Sequence, residues 1–103
     1  MVAEAIRDGA KAIEMDPNIP DGYLVHGIAL MENGDPDGAI ADFTKAIERN
    51  PRVVDAWRNR AIAKMRKGDR EGAAADLRSA LEAVPPGSPA AEALRRELEG
   101  LKR

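Results

Sequence analysis

A chain of 103 residues with a formal charge of −2 is long enough for one hydrophobic core and too short for two independent ones. It contains no cysteine, which excludes disulfides, thiolate metal sites and cysteine nucleophiles, and no stretch approaches the roughly 18 apolar residues of a membrane span. Tyr23, Phe43 and Trp57 are the only aromatics, so the core must be built largely from Ala, Ile and Leu, which suits closely approaching helices. Residues 2–15 read as a first helix. This N-terminus brings acidic residues at once and lacks the basic start and apolar stretch of a secretory signal, so a cytoplasmic location is expected. A second helix over 20–33 carries Tyr23, Gly27, Leu30 and Met31 on one face, and Gly34 ends it. Asp35 and Pro36 start the third, 36–49, because Asp is a good N-cap and Pro fits a first helical turn, where its missing N–H does no harm. Ala39, Phe43, Ala46 and Ile47 form its buried stripe, and Asn50-Pro51 closes it, since the residue before proline is pushed out of the helical region. The fourth and fifth helices, 54–67 and 70–83, repeat the device through Gly68, Asp69, Arg70 and Glu71. Their stripe on the second helix is Ala73, Leu77, Ala80 and Leu81. Ser88-Pro89 starts a sixth helix over 89–102, with Ala91, Leu94, Leu98 and Leu101 on a narrow apolar side. Its other side, Glu92, Arg95, Arg96, Glu99 and Lys102, is that of a terminal cap with one face wet.

These elements recur with a fixed period. Pro17, Pro51 and Pro85 are each 34 residues apart, and Ala5, Ala39 and Ala73, Ala12, Ala46 and Ala80, Gly34 and Gly68, and Tyr23 and Trp57 keep the same step. Aligning 20–53 with 54–87 gives 13 identities in 34 positions without a gap. The expected organisation is one domain: a half repeat over 1–19, repeats over 20–53 and 54–87, and a capping helix over 88–103. Charge is unevenly spread. Residues 1–50 carry ten acidic and four basic side chains, and 51–103 carry eight acidic and twelve basic.

The pattern of an aromatic, a small residue four later, then Ala, an apolar residue, Ala and Pro resembles the tetratricopeptide repeat. It reads Tyr23, Gly27, Ala39, Phe43, Ala46, Pro51, and again Trp57, Ala61, Ala73, Leu77, Ala80, Pro85. The resemblance implies an all-α fold of about six helices, stacked as antiparallel pairs into a right-handed superhelix. It further implies a non-enzymatic protein-interaction module, whose first helices line a concave groove that takes an extended peptide or a helix. By register the groove candidates are Asp21, Leu24, Val25, Ile28, Met31 and Glu32, then Asp55, Arg58, Asn59, Ile62, Met65 and Arg66. Taken singly, Ile28, Ile62, Met31 and Met65 read as core, as apolar helix positions usually are. Leu24 and Val25 beside Arg58 and Asn59 are less readily explained by packing and are the expected ligand contacts. The sequence departs from the family in placing His26 and Leu30, then Arg60 and Lys64, where Leu and Tyr are usual, so helix 54–67 is expected to pack less well. The first repeat lacks its first helix, which would leave Val2, Ile6 and Ile13 partly uncovered and invites self-association or membership of a longer array.

Some tetratricopeptide domains hold chaperone C-termini through a two-carboxylate clamp of Lys, Asn and Arg. Asn59 suits such a clamp, but Val25, Pro89 and Ala93 stand at the other places, so a clamp is not expected. Between Arg58 and Arg70 lie Arg58, Arg60, Lys64, Arg66, Lys67 and Arg70 against Asp69 alone. That stretch reads as a solvated face or as an attraction for an acidic partner segment. Nucleic acid fits poorly with an isoelectric point near 5.4 and aromatics committed to structural positions, and a membrane contact fits less well still. His26, at a core-facing position, reads as a core residue and not as a base. No nucleophile–base pair, phosphate loop, cofactor fingerprint or metal spacing is present. Gly34-Asp-Pro-Asp-Gly38 lacks the later ligands of a calcium loop and reads as a turn and a helix cap.

Overall fold

The computed structural model describes residues 2–101, Val2 by its backbone alone. The expectations for the Val2 side chain and for Lys102 therefore lie outside the described residues. Six helices follow one another: α1 (Val2–Met15), α2 (Pro20–Glu32), α3 (Pro36–Arg49), α4 (Val54–Arg66), α5 (Arg70–Glu82) and α6 (Pro89–Leu101), with no strand among the described residues. They stack into a slab of 37 × 27 × 21 Å, as the helical superhelix expected from the repeat.

Every helix starts where the sequence reading places it, and side-chain caps explain the starts of α3, α5 and α6. The Gly38 N–H donates to the Asp35 carboxylate at 2.9 Å, the Gly72 N–H to Asp69 at 2.8 Å, and the Ala91 N–H to the Ser88 hydroxyl at 3.2 Å. Helices α2, α4 and α5 end one residue earlier than expected, since Asn33, Lys67 and Ala83 are C-caps. Gly34 and Gly68 then take φ of +79° and +85°, where a Cβ would be strained. That conformation lets the Asp35 N–H reach the Leu30 carbonyl and the Asp69 N–H the Lys64 carbonyl, both at 2.9 Å, which closes each helix and aims the next one back along it.

The core is three apolar clusters in series. Met31, Ala39, Phe43 and Ala63 fill the space between α2, α3 and α4; Tyr23, Ala46, Ile47 and Ala56 fill its other end; Ala61, Ala73, Leu77, Ala80 and Leu94 join α4, α5 and α6. Phe43 is fully buried, and Gly27 makes room for it: a Cβ there would stand 2.6 Å from Phe43 Cε1. In the next repeat the corresponding pair is Ala61 and Leu77, a larger residue facing a smaller one. Leu81 is only half-buried, and Ala12 is exposed whereas Ala46 and Ala80 are buried, because no aromatic-bearing helix lies against that side of α1. Ile6 and Ile13 are half-buried. The aromatic and proline periods meet in one contact: the Tyr23 hydroxyl donates to the Pro17 carbonyl at 3.0 Å and the Trp57 indole N–H to the Pro51 carbonyl at 2.8 Å.

The expectation that α4 packs poorly is corrected by a buried carboxylate. Asp76 of α5 is only 2% exposed and accepts from Arg60 Nε (2.9 Å), Arg60 Nη2 (2.8 Å) and Lys64 Nζ (3.0 Å). Arg60 also donates to Thr44 Oγ1 and lies over the Trp57 ring, 5.0 Å from its centre. The two cations thus fasten α4 to α5 in place of apolar side chains. One repeat earlier, His26 of α2 pairs with Asp42 of α3 at the same 16-residue separation, which makes His26 a half-buried ion-pair residue rather than an apolar-core one. Burial pushes the Asp42 carboxyl above its ordinary value, against the opposing hydrogen bond and charge of His26.

Candidate peptide-binding groove

Helices α2 and α4 are the first members of their pairs, and with the terminal helix α6 they form one side of the slab. Ala56, Ala61 and Ala63 turn inward from α4, which leaves Ile62 on the open side at 41% exposure; Ile28 and Val25 of α2 are 40% and 48% exposed. The expectation that Ile28 and Ile62 are core is therefore corrected, whereas Met31 is buried and Met65 half-buried. Both isoleucines sit on the one flank of their helices that no neighbour covers.

Two clefts run along this side. A cleft of about 200 Å³ between α2 and α4 is walled by Ile28, Glu32, Asn59, Ile62 and Arg66, with Met31 and Phe43 beneath. A second, of about 290 Å³, lies between α4 and α6 and is lined by Ala61, Ile62, Met65, Leu77, Glu97 and Leu101. Ile62 lines both and divides them.

The structure brings Ile28, Asn59, Ile62 and Arg66 together in the first cleft. Leu24 is half-buried and packs against two core clusters, Val25 is exposed beside them, and Asp21 and Asp55 are exposed in the first turns of α2 and α4; none of these lines a cleft. Arg58 donates from Nε and Nη2 to one oxygen of Glu97 on α6, and this hydrogen bond and charge raise its pKa further above the ordinary value. Arg66 Nη1 donates to the Met31 carbonyl at 3.1 Å, Lys67 pairs with Asp37, and Arg70 donates to the Leu101 carbonyl at 3.3 Å. With Arg60 and Lys64 on Asp76, every cation between residues 58 and 70 has a partner within the chain. Glu97 was not singled out by the sequence, Leu101 was read only as part of the apolar side of the sixth helix, and no period marks either as a groove residue. Asp76 had a signal: Asp42 and Asp76 are identical 34 residues apart, each 16 after a basic or titratable side chain.

Among the described residues no group of three or more His, Asp or Glu is placed to hold a metal ion, and no helix is long and apolar enough to cross a membrane. The sequence profile of the tetratricopeptide repeat matches residues 24–88, more than half of the chain. The chain belongs to the tetratricopeptide repeat family. Among curated protein sequences none matches it. Among solved structures it is similar to the TPR2B domain of yeast Sti1 in a complex with an Hsp70 peptide, at 26% identity and a TM-score of 0.90, covering 98% of this chain and 82% of that one. It is also similar to the translocator chaperone SycD of Yersinia enterocolitica type III secretion, at 18% identity and a TM-score of 0.90, covering 98% and 72%. The second tetratricopeptide domain of human RPAP3, in complex with an HSP70 peptide, superposes with a TM-score of 0.84 at 22% identity, covering 99% and 82%.

Proposed function

We propose that this tetratricopeptide domain is a non-enzymatic interaction module that holds a peptide or helix of a partner protein along α2, α4 and α6. The observation that carries the reading is the row of uncovered apolar side chains, Ile28 and Ile62, at the same register of successive repeats and opening on two adjoining clefts. Apolar ligand side chains entering those clefts would bury the isoleucines, and Asn59 and Arg66 on the rim supply polar contacts that fix orientation. An acidic ligand residue aimed at Arg58 would compete with Glu97, so apolar complementarity carries more of the recognition than charge. The structural likeness to the Sti1 domain, which was solved with a bound peptide, supports the same use of the fold.

The test is a paired capture from source-cell lysate with the native chain and the Ile28→Glu, Ile62→Glu variant. Both positions are open to solvent, so circular dichroism should stay unchanged. A protein retained only by the native chain is the expected result; identical captures by both would defeat the groove assignment.

A second reading, self-assembly, is favoured by α1, where Met15 is 81% exposed and Ile19, just beyond the helix, is 46% exposed. Contact of this acidic end with the basic end of another copy is heterologous and would build rings or filaments. Light scattering at low salt that shows only monomer at high concentration removes it.

A further inference from the structure

Among the differences between the two repeats, one lies outside the groove, beside the aromatic side chains Tyr23 and Trp57. In the first, the Pro17 carbonyl accepts two donors, the Tyr23 hydroxyl at 3.0 Å and Arg49 Nε at 2.9 Å. In the second, the Pro51 carbonyl accepts from Trp57 Nε1 alone among the described residues, since the residue 34 positions after Arg49 is Ala83. A notch of about 360 Å³ results, lined by Pro51, Arg52, Trp57, Ser79, Glu82 and Ala83. The charge around it has changed as well: Lys45 and Arg49 give way to Ser79 and Ala83, and Asn18 gives way to Arg52. Glu48 has Lys45 within 3.9 Å and Arg49 as its sequence neighbour, whereas its counterpart Glu82 has Ser79 and Ala83 at those places and no partner among the described residues.

We infer that this notch is a binding site for an arginine side chain of a partner protein, which would occupy the place that Arg49 occupies in the preceding repeat. Three features of the notch favour that chemistry. The Pro51 carbonyl keeps a second lone pair that can accept from a donor, the Glu82 carboxylate can pair with a cation, and the Trp57 indole offers an apolar wall for the flat guanidinium and its methylene stem. Arg52 also lines the notch, so an acidic occupant has to be weighed. Glu82 weighs against it by like-charge repulsion, and a carboxylate has no hydrogen to donate to the Pro51 carbonyl. Planar geometry with several N–H donors favours arginine over lysine for reaching a carbonyl and a carboxylate together. The site shares no residue with either groove cleft and stands or falls independently of the groove reading.

Trp57 is the only tryptophan, so its indole N–H gives one resonance in a ¹H–¹⁵N spectrum, and that N–H bonds the carbonyl in question. The probe is N-acetyl-arginine N-methylamide, with the corresponding citrulline and glutamate derivatives as neutral and acidic comparators. A saturable shift of the Trp57 indole signal is expected with the arginine derivative alone. Ala83→Arg should fill the notch from within and abolish the shift, and Glu82→Gln should weaken binding about three- to fivefold, as loss of an exposed charge pair does. No shift in the native chain, an equal response to citrulline or glutamate derivative, or a response that survives Ala83→Arg would each overturn the assignment.

Discussion

Replacing Asp76 with alanine tests whether a buried carboxylate holds the groove helix α4 in place. The substitution removes the acceptor of three charge-assisted bonds, at 2.9, 2.8 and 3.0 Å, and leaves two cations facing α5 without a counter-charge. Removing one partner of a buried ion pair costs about 3–5 kcal/mol, most of it from the charge left behind. Here the side chains of Arg60 and Lys64 are 16% and 21% exposed and recover some hydration, and Arg60 keeps Thr44 and the Trp57 ring. The expected loss is therefore at the low end, about 3 kcal/mol. For a domain of this size that lowers Tm by roughly 12–24 °C. Urea unfolding followed by circular dichroism should show a lower midpoint at an unchanged slope. Replacing Arg60, Lys64 and Asp76 together by leucine should recover much of the loss, because an apolar trio needs no compensation. A loss below about 1 kcal/mol for Asp76→Ala, the value of an exposed pair, would refute the reasoning.

The remaining predictions concern positions where the repeats differ or where the backbone is constrained. Gly27→Ala should destabilise by about 1–3 kcal/mol through its clash with Phe43, and Phe43→Leu in the same chain should recover most of that by recreating the Ala61–Leu77 pairing; chemical denaturation of the single and double variants measures it. Gly68→Ala, at φ +85°, should cost about 1–2 kcal/mol without loss of helicity, read by the same assay. Asp42 has a folded pKa above its ordinary value of 3.8, so the folded state holds that proton more tightly than the unfolded chain, and its contribution falls as pH rises through the window just above 3.8. The stability of the native chain relative to Asp42→Asn should decline across that window; a flat or rising difference contradicts the burial.

Local chemistry made most of the helices legible, since α3, α5 and α6 start on Asp35, Asp69 and Ser88 and α2 on Pro20, and each repeat's turn rests on a glycine whose φ only glycine adopts readily. The 34-residue step then paired the helices, because Pro17 and Pro51 accept hydrogen bonds from Tyr23 and Trp57 at a constant offset. What the sequence did not reveal depends on which flank a neighbour covers. Helix α2 has apolar side chains over much of its circumference, so periodicity could not separate buried Met31 from exposed Ile28. Asp76 is buried because Arg60 and Lys64 approach it from another helix, a pairing that periodicity along one helix does not show. Arg58 looked free for a ligand, but Glu97, 39 residues away and outside any period, takes it.

The central claim is that the partner lies along α2, α4 and α6. It is tested most directly by placing a photo-crosslinking residue at position 62, which lines both clefts, and in a second chain at position 75, exposed on α5. Irradiation in source-cell lysate should give a discrete partner adduct from position 62 and none of that mass from position 75. Equal adducts from both positions, or an adduct from position 75 alone, would contradict the groove as the binding surface.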